Sequence, residues 1–156
     1  MAFVLDASIA ACWAFDDEDH PDARLAFDRM RAEEGVVPGL WWFEVRNILV
    51  VNERRRRITE SETARFLLNL SMLRLRVDLS PREDAVLRLA RTHRLSVYDA
   101  AYLELAQREG LPMATLDAAL GEAAVAEGVR LVSADSKAPE ACPPQPAPRG
   151  KRRSTL

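Results

Sequence analysis

The chain has 156 residues, 48% of them hydrophobic and 29% charged. That balance is that of a globular protein rather than a disordered one, at a length suited to a single domain. No apolar run approaches the ~20 residues that a membrane-spanning helix needs. Met1-Ala2-Phe3-Val4-Leu5-Asp6 lacks a basic leader region, so the expected compartment is the cytoplasm, with no membrane partner. The two cysteines agree: Cys12 lies in an apolar stretch and reads as a small buried hydrophobe, and Cys142 lies in a proline-rich tail. No CxxC or Cys/His cluster offers a zinc site.

The formal net charge of -2 is unevenly divided. Beyond residue 133 there are five basic residues, two acids and five of the nine prolines, leaving 17 bases and 22 acids in residues 1–133, a net of -5. The expected organisation is therefore an acidic folded domain over residues 1–133 and a disordered, Pro-rich basic tail over 134–156.

In chain order, Phe3-Val4-Leu5 reads as a strand buried on both faces. Helices are expected at 8–14 and 21–33, the second stopped by Gly35, and Val36-Val37 reads as a strand ended by Pro38-Gly39. The spacing of Trp41, Val45, Ile48 and Leu49 predicts a long amphipathic helix from Leu40 to about Arg55. Thr59-Glu60-Ser61-Glu62 is a capping box opening a helix whose apolar face would carry Ala64, Leu67, Leu68, Ser71 and Met72. Leu75 to Leu79 alternates as a strand does, and Ser80-Pro81-Arg82-Glu83 predicts a helix start with proline at its first position. Ser96 should cap a helix over Val97 to about Arg108, closed by Gly110. A strand over Pro112–Thr115, a helix from Asp117 to Glu127 closed by Gly128, and a strand over Val129–Val132 complete the pattern. Short strands alternating with helices indicate an α/β fold with a parallel sheet covered on both faces.

Four acids occupy chemically interesting places. Asp6 ends the first strand, Glu44 opens the long helix, Asp99 lies in the first turn after Ser96, and Asp117 follows the Thr115 strand. For Asp99 and Asp117, helix capping stabilises by ~0.3–1 kcal/mol each and is an adequate alternative. Capping does not account for Asp6, at the end of a buried strand, or for Glu44 within Leu40-Trp41-Trp42-Phe43-Glu44-Val45. Were the four to converge, each pair of charges at about 4 Å would repel by roughly 4 kcal/mol at an effective dielectric near 20, and a cation would be needed to offset it. An all-carboxylate set without His or Cys selects Mg²⁺ or Mn²⁺ over zinc.

Val4-Leu5-Asp6-Ala7-Ser8, Glu44-Val45-Arg46-Asn47-Ile48-Leu49, Leu95-Ser96-Val97-Tyr98-Asp99-Ala100-Ala101-Tyr102 and Ala114-Thr115-Leu116-Asp117 resemble the four motifs of the PIN-domain ribonucleases. More narrowly, the chain is similar to the VapC-type toxins of bacterial toxin–antitoxin pairs, in order from about residue 3 to residue 133. The resemblance implies a PIN-like three-layer α/β/α fold with a short, mostly parallel sheet. It also implies an Mg²⁺-dependent (Mn²⁺ possible) endoribonuclease with metal-binding, catalytic acids at Asp6, Glu44, Asp99 and Asp117. An RNA substrate, a cognate antitoxin and a homodimer are its expected partners. Ser8 and Thr115 match the family's small hydroxyl residues and would orient carboxylates, although Ser8 reads equally as a helix cap and Thr115 as a plain strand residue. Asn47, one turn after Glu44, is placed to support it. Some relatives carry a further acid just beyond the fourth, where this chain has Ala118, Ala119 and Leu120.

Arg54-Arg55-Arg56-Arg57 has two readings, complementing the helix dipole or contacting RNA phosphates. Trp41 and Trp42 are candidates for base stacking, with core or interface packing favoured for at least one. His20 and His93 read as structural or solvent-facing. A phosphatase or dehalogenase using Asp6 as nucleophile would need another acid where Ser8 stands and a lysine in the body, yet the two lysines are Lys137 and Lys151. A catalytically silent RNA- or protein-binding PIN-like module is the remaining alternative, against which the four acids weigh.

Overall fold

The computed structural model describes residues 1–135. The disordered basic tail expected over 134–156 lies, from residue 136 on, outside the described residues. The elements are β1 (Ala2–Leu5), α1 (Ala7–Ala14), α2 (Pro21–Arg29), β2 (Glu34–Pro38), α3 (Trp41–Arg54), α4 (Glu60–Ser71), β3 (Leu75–Asp78), α5 (Glu83–His93), α6 (Val97–Glu109), β4 (Met113–Ala114) and α7 (Ala118–Ala126). The four strands form one parallel sheet in the order β3-β2-β1-β4 with helices packed against it, the α/β/α arrangement expected.

The apolar run Phe3-Val4-Leu5 becomes a central strand because each of its side chains is wholly buried. From β1 the chain crosses to β2 on one side and later returns to β4 on the other, so the strand order reverses at the β1/β4 boundary. In open parallel sheets that crevice, outside the carboxyl ends of the strands, is where ligands bind. Backbone bonds fix it: Val4 N–H donates to Pro112 O at 2.8 Å and Asp6 N–H to Ala114 O at 3.0 Å.

Several local expectations are corrected. Gly35 does not stop a helix but lies inside β2, α2 having ended at Arg29. A Cβ on Gly35 would stand 2.8 Å from a Leu75 methyl and 3.1 Å from the Met30 thioether, so the glycine leaves room for those two side chains to pack over β2. α5 begins at Glu83 with Arg82 as its N-cap and no side-chain cap, so Pro81 precedes the helix rather than starting it. On α4 the capping box is present, but the buried residues are Thr63 and Leu70, while Leu68 and Met72 are exposed. The last strand reduces to a single parallel bridge between Met113 and Leu131. Ser96 and Gly110 cap α6 as expected, Gly110 at φ +65°, a conformation that suits glycine.

Charge pairing secures the edges. Arg76 of β3 reaches Glu34 and Glu109, and Arg108 of α6 reaches Glu104 and Asp78, tying α6 to the edge strand. Arg57 binds Asp17 and Glu18 and stacks on Phe15, so the last arginine of the 54–57 run clamps the α1–α2 loop. Trp41 is buried in the core, whereas Trp42 is half exposed beneath the Arg46 guanidinium. Cys12 is buried, as expected. His20 caps α2 and His93 pairs with Glu127, both structural roles. Among the described residues, no helix is long and apolar enough to cross a membrane.

Glu104 is 2% exposed, and Arg108 is the cation paired with it. Arg108→Met should therefore cost about 3 kcal/mol in urea denaturation by leaving a buried carboxylate unpaired. Adding Glu104→Gln should restore part of the loss. An Arg108→Met variant as stable as the parent would show that the pair has no net effect.

Candidate active site

The parallel sheet directs its strand ends to one edge, and three of the site acids follow from that. Asp6 is the residue after β1, Asp117 follows β4, and α3 starts directly after β2 with Glu44 in its first turn. Asp99 arrives in the first turn of α6 behind the Ser96 cap.

Asp6 is 6% exposed, and its Oδ2 accepts hydrogen bonds from Ser8 Oγ at 2.5 Å and Thr115 Oγ1 at 2.7 Å. Ser8 Oγ in turn accepts from Leu116 N–H at 2.9 Å, and Thr115 Oγ1 accepts from Asp117 N–H at 3.0 Å. The Asp6 carboxylate is thus stitched to the β4 end through two hydroxyls, which answers both alternatives: Ser8 and Thr115 orient an acid. Burial pushes the Asp6 carboxyl above the usual range against the pull of these hydrogen bonds, with the Asp99 charge adding to the rise.

Glu44 is half-buried, and its Oε2 accepts from the hydroxyl of Tyr102, a fully buried residue of α6. Burial raises its pKa as well, opposed by the Tyr102 bond and reinforced by Asp6 and Asp99. The Tyr102 phenol is held far above its ordinary pKa by burial, Asp6 and Glu44, and stays a neutral donor. Asp99 Oδ2 accepts from Ser96 Oγ at 2.7 Å, while Ser96 Oγ accepts from Asp99 N–H at 3.0 Å. Asp117 caps α7, its Oδ1 accepting from Leu120 N–H at 2.8 Å.

Asp6, Glu44 and Asp99 therefore act on one another electrostatically, while Asp117 is tied to the Asp6 network by its backbone N–H on Thr115 and turns its carboxylate to the N-terminus of α7. Among the described residues, none of the four is in an ion pair with Arg, Lys or His. Among the described residues, no three His, Cys, Asp or Glu side chains stand close enough together to hold a metal ion by themselves. An open set of oxygen donors still fits Mg²⁺, which keeps several waters and is held by one or two carboxylates together with substrate phosphates.

Asn47 is exposed and makes no hydrogen bond to Glu44; Tyr102 takes the supporting place expected of it. The signal for Tyr102 was its position three residues after Asp99, on the same helix face. Arg54, Arg55 and Arg56 are exposed, and Arg57 is engaged with the acidic loop.

An α/β domain with a buried Asp6 and further acids around the carboxyl edge of its parallel sheet defines a class of protein, and likeness to known proteins specifies the family. The chain belongs to the PIN domain family, whose model matches residues 3–126. It is 33% identical over 124 residues to Ribonuclease VapC3 of Pyrobaculum aerophilum, a match spanning 77% of this chain and 92% of that protein. The crystal structure of PAE2754 from Pyrobaculum aerophilum superposes with a TM-score of 0.61 at 27% identity, covering 79% of this chain and 87% of that one. A toxin–antitoxin complex from Klebsiella pneumoniae superposes with a TM-score of 0.52 at 16% identity, over 74% of this chain and 86% of that one, a likeness of fold.

Because burial and like charge raise the Asp6 and Glu44 carboxyls, their ionised forms destabilise the fold. The stability that protonation confers is fully present below an unfolded pKa of about 4 and is lost as pH rises through the raised native values. Asp6→Asn should consequently raise Tm at pH 7 without divalent ions, by roughly 2–4 °C for each kcal/mol of strain relieved. The gain should shrink towards zero as pH falls to about 4. Melting curves across pH check this, and a variant that melts lower at pH 7 would show that the charge stabilises the fold.

Proposed function

We propose that this chain is a divalent-metal-dependent endoribonuclease, the toxin of a toxin–antitoxin pair, hydrolysing RNA phosphodiester bonds. The observation that carries this reading is the Asp6 carboxylate, buried at the strand-order reversal, held by two hydroxyl donors and facing acidic neighbours rather than a basic side chain among the described residues. Family membership and the likeness to a protein named as a ribonuclease support it.

Asp6, Glu44, Asp99 and Asp117 would hold Mg²⁺ or Mn²⁺. The ion's contribution is Lewis acidity towards a water nucleophile and neutralisation of charge on the scissile phosphate. The chain's own part is orientation: Ser8 and Thr115 hold Asp6, Ser96 holds Asp99, and the Leu120 N–H holds Asp117. Removing side chains that orient metal ligands typically costs 10–100-fold in affinity or activity.

We further infer a homodimer in the cytoplasm and a cognate antitoxin, in keeping with the fold shared with the toxin–antitoxin complex. Residues 1–133 would be the nuclease domain. The 134–156 segment, with Arg149, Lys151, Arg152 and Arg153, together with Arg54, Arg55 and Arg56, would add salt-dependent contacts to RNA phosphates.

The purified protein should cleave RNA in Mg²⁺ or Mn²⁺ and lose all cleavage in EDTA. Asp99→Asn should reduce the rate by more than about 100-fold, beyond the effect of losing an orienting residue, while the protein stays folded. Gel-based cleavage assays beside circular dichroism measure both. Metal-independent cleavage that survives Asp6→Asn would overturn the assignment.

A further inference from the structure

Asp6 directly follows β1 and Asp117 caps α7 just beyond β4, whereas Glu44 and Asp99 are carried on helices, Glu44 on α3, which buries Trp41, Val45 and Leu49 in the core. A glutamate has three side-chain torsions, and at the margin of a core face nothing in the helix itself selects its direction. Among the described residues, the side-chain hydrogen bond it accepts comes from Tyr102 of α6 and falls on Oε2.

The chemistry of that donor matters. An arginine or lysine would hold Glu44 as firmly but would cancel its charge. A phenol orients the carboxylate and leaves the charge in place. The same pattern recurs in the cluster, where the side chains binding Asp6 and Asp99 are the neutral hydroxyls of Ser8, Thr115 and Ser96. Tyr102 differs in coming from a fully buried ring, whose position is fixed by packing rather than by a loop.

We propose that Tyr102 is a positioning residue, holding the Glu44 carboxylate by Oε2 in the direction in which it would serve a divalent ion, without cancelling its charge. The inference rests on the metal-dependent reading above and extends it to a residue outside the acid set. Tyr102 touches neither ion nor RNA and acts through Glu44.

The test is Mn²⁺ affinity of the full chain, read by electron paramagnetic resonance of the free ion, for wild type, Tyr102→Phe, Glu44→Gln and the double variant. Tyr102→Phe keeps the ring and should weaken Mn²⁺ binding 10–100-fold. In the Glu44→Gln background the same substitution should have little further effect, because the two act as one unit. Glu44→Asp retains the charge but withdraws the carboxylate from the phenol by one methylene, and should weaken binding in the same range. If Tyr102→Phe fails to fold, Tyr102→Met removes the same hydroxyl, and its effect with and without Glu44→Gln decides the matter.

A purely structural tyrosine predicts a lowered Tm with wild-type Mn²⁺ affinity, and that result, or an equal loss in both backgrounds, overturns the proposal. A wild-type chain that binds no Mn²⁺ overturns both this and the metal-dependent reading. One that binds Mn²⁺ with Tyr102→Phe unchanged overturns this proposal alone.

Discussion

A carboxylate buried at the end of a central strand, with no basic side chain paired to it among the described residues, is the constraint around which the rest of this domain is arranged. Leaving such a charge out of water is costly, and proteins ordinarily pair it or neutralise it. Here Asp6 receives two hydroxyl hydrogen bonds and faces further acids, so the site remains strained towards protonation. The fold makes this possible because β1 and β4 are locked by backbone bonds that do not depend on the carboxylate.

The distribution of arginines tells the same story from the other side. Arg29, Arg57, Arg76, Arg88 and Arg108 are each committed to acids at loops, helix ends or the sheet edge. These arginines thus serve loops, helix ends and the β3 edge, while Asp6, Glu44, Asp99 and Asp117 have no such ion pair among the described residues. A negative site in a net-negative body repels a polyanion, and a divalent ion is the simplest mediator between such a site and a phosphate.

Much of this was legible in the sequence because it depends on local rules. The apolar run before Asp6, the caps at Thr59 and Ser96, the helix stop at Gly110 and the order of the four acids each follow from chemistry within a few residues. What escaped depends on contacts between distant segments. Gly35 reads as a helix stop until Leu75 is seen against it, and Leu68 and Met72 read as core until α4 is oriented by Thr63 and Leu70. Arg57 meets an acidic loop about 40 positions earlier, and Tyr102 finds Glu44 58 positions away. Asn47 had the right spacing for a partner but sits on the exposed side of α3, so proximity in sequence misled where a tyrosine from another helix prevailed.

The central claim is that the acid cluster is completed by a divalent cation, and thermal melting in increasing Mg²⁺ or Mn²⁺ tests it without requiring an RNA substrate. Binding to the folded state alone at 100 times Kd adds about 2.7 kcal/mol, which for a domain of this size is roughly 5–10 °C in Tm. The wild-type Tm should climb by that order and saturate, and the rise should be largely lost in Asp6→Asn. A wild-type Tm indifferent to both ions, or an equal rise in Asp6→Asn, would contradict the account.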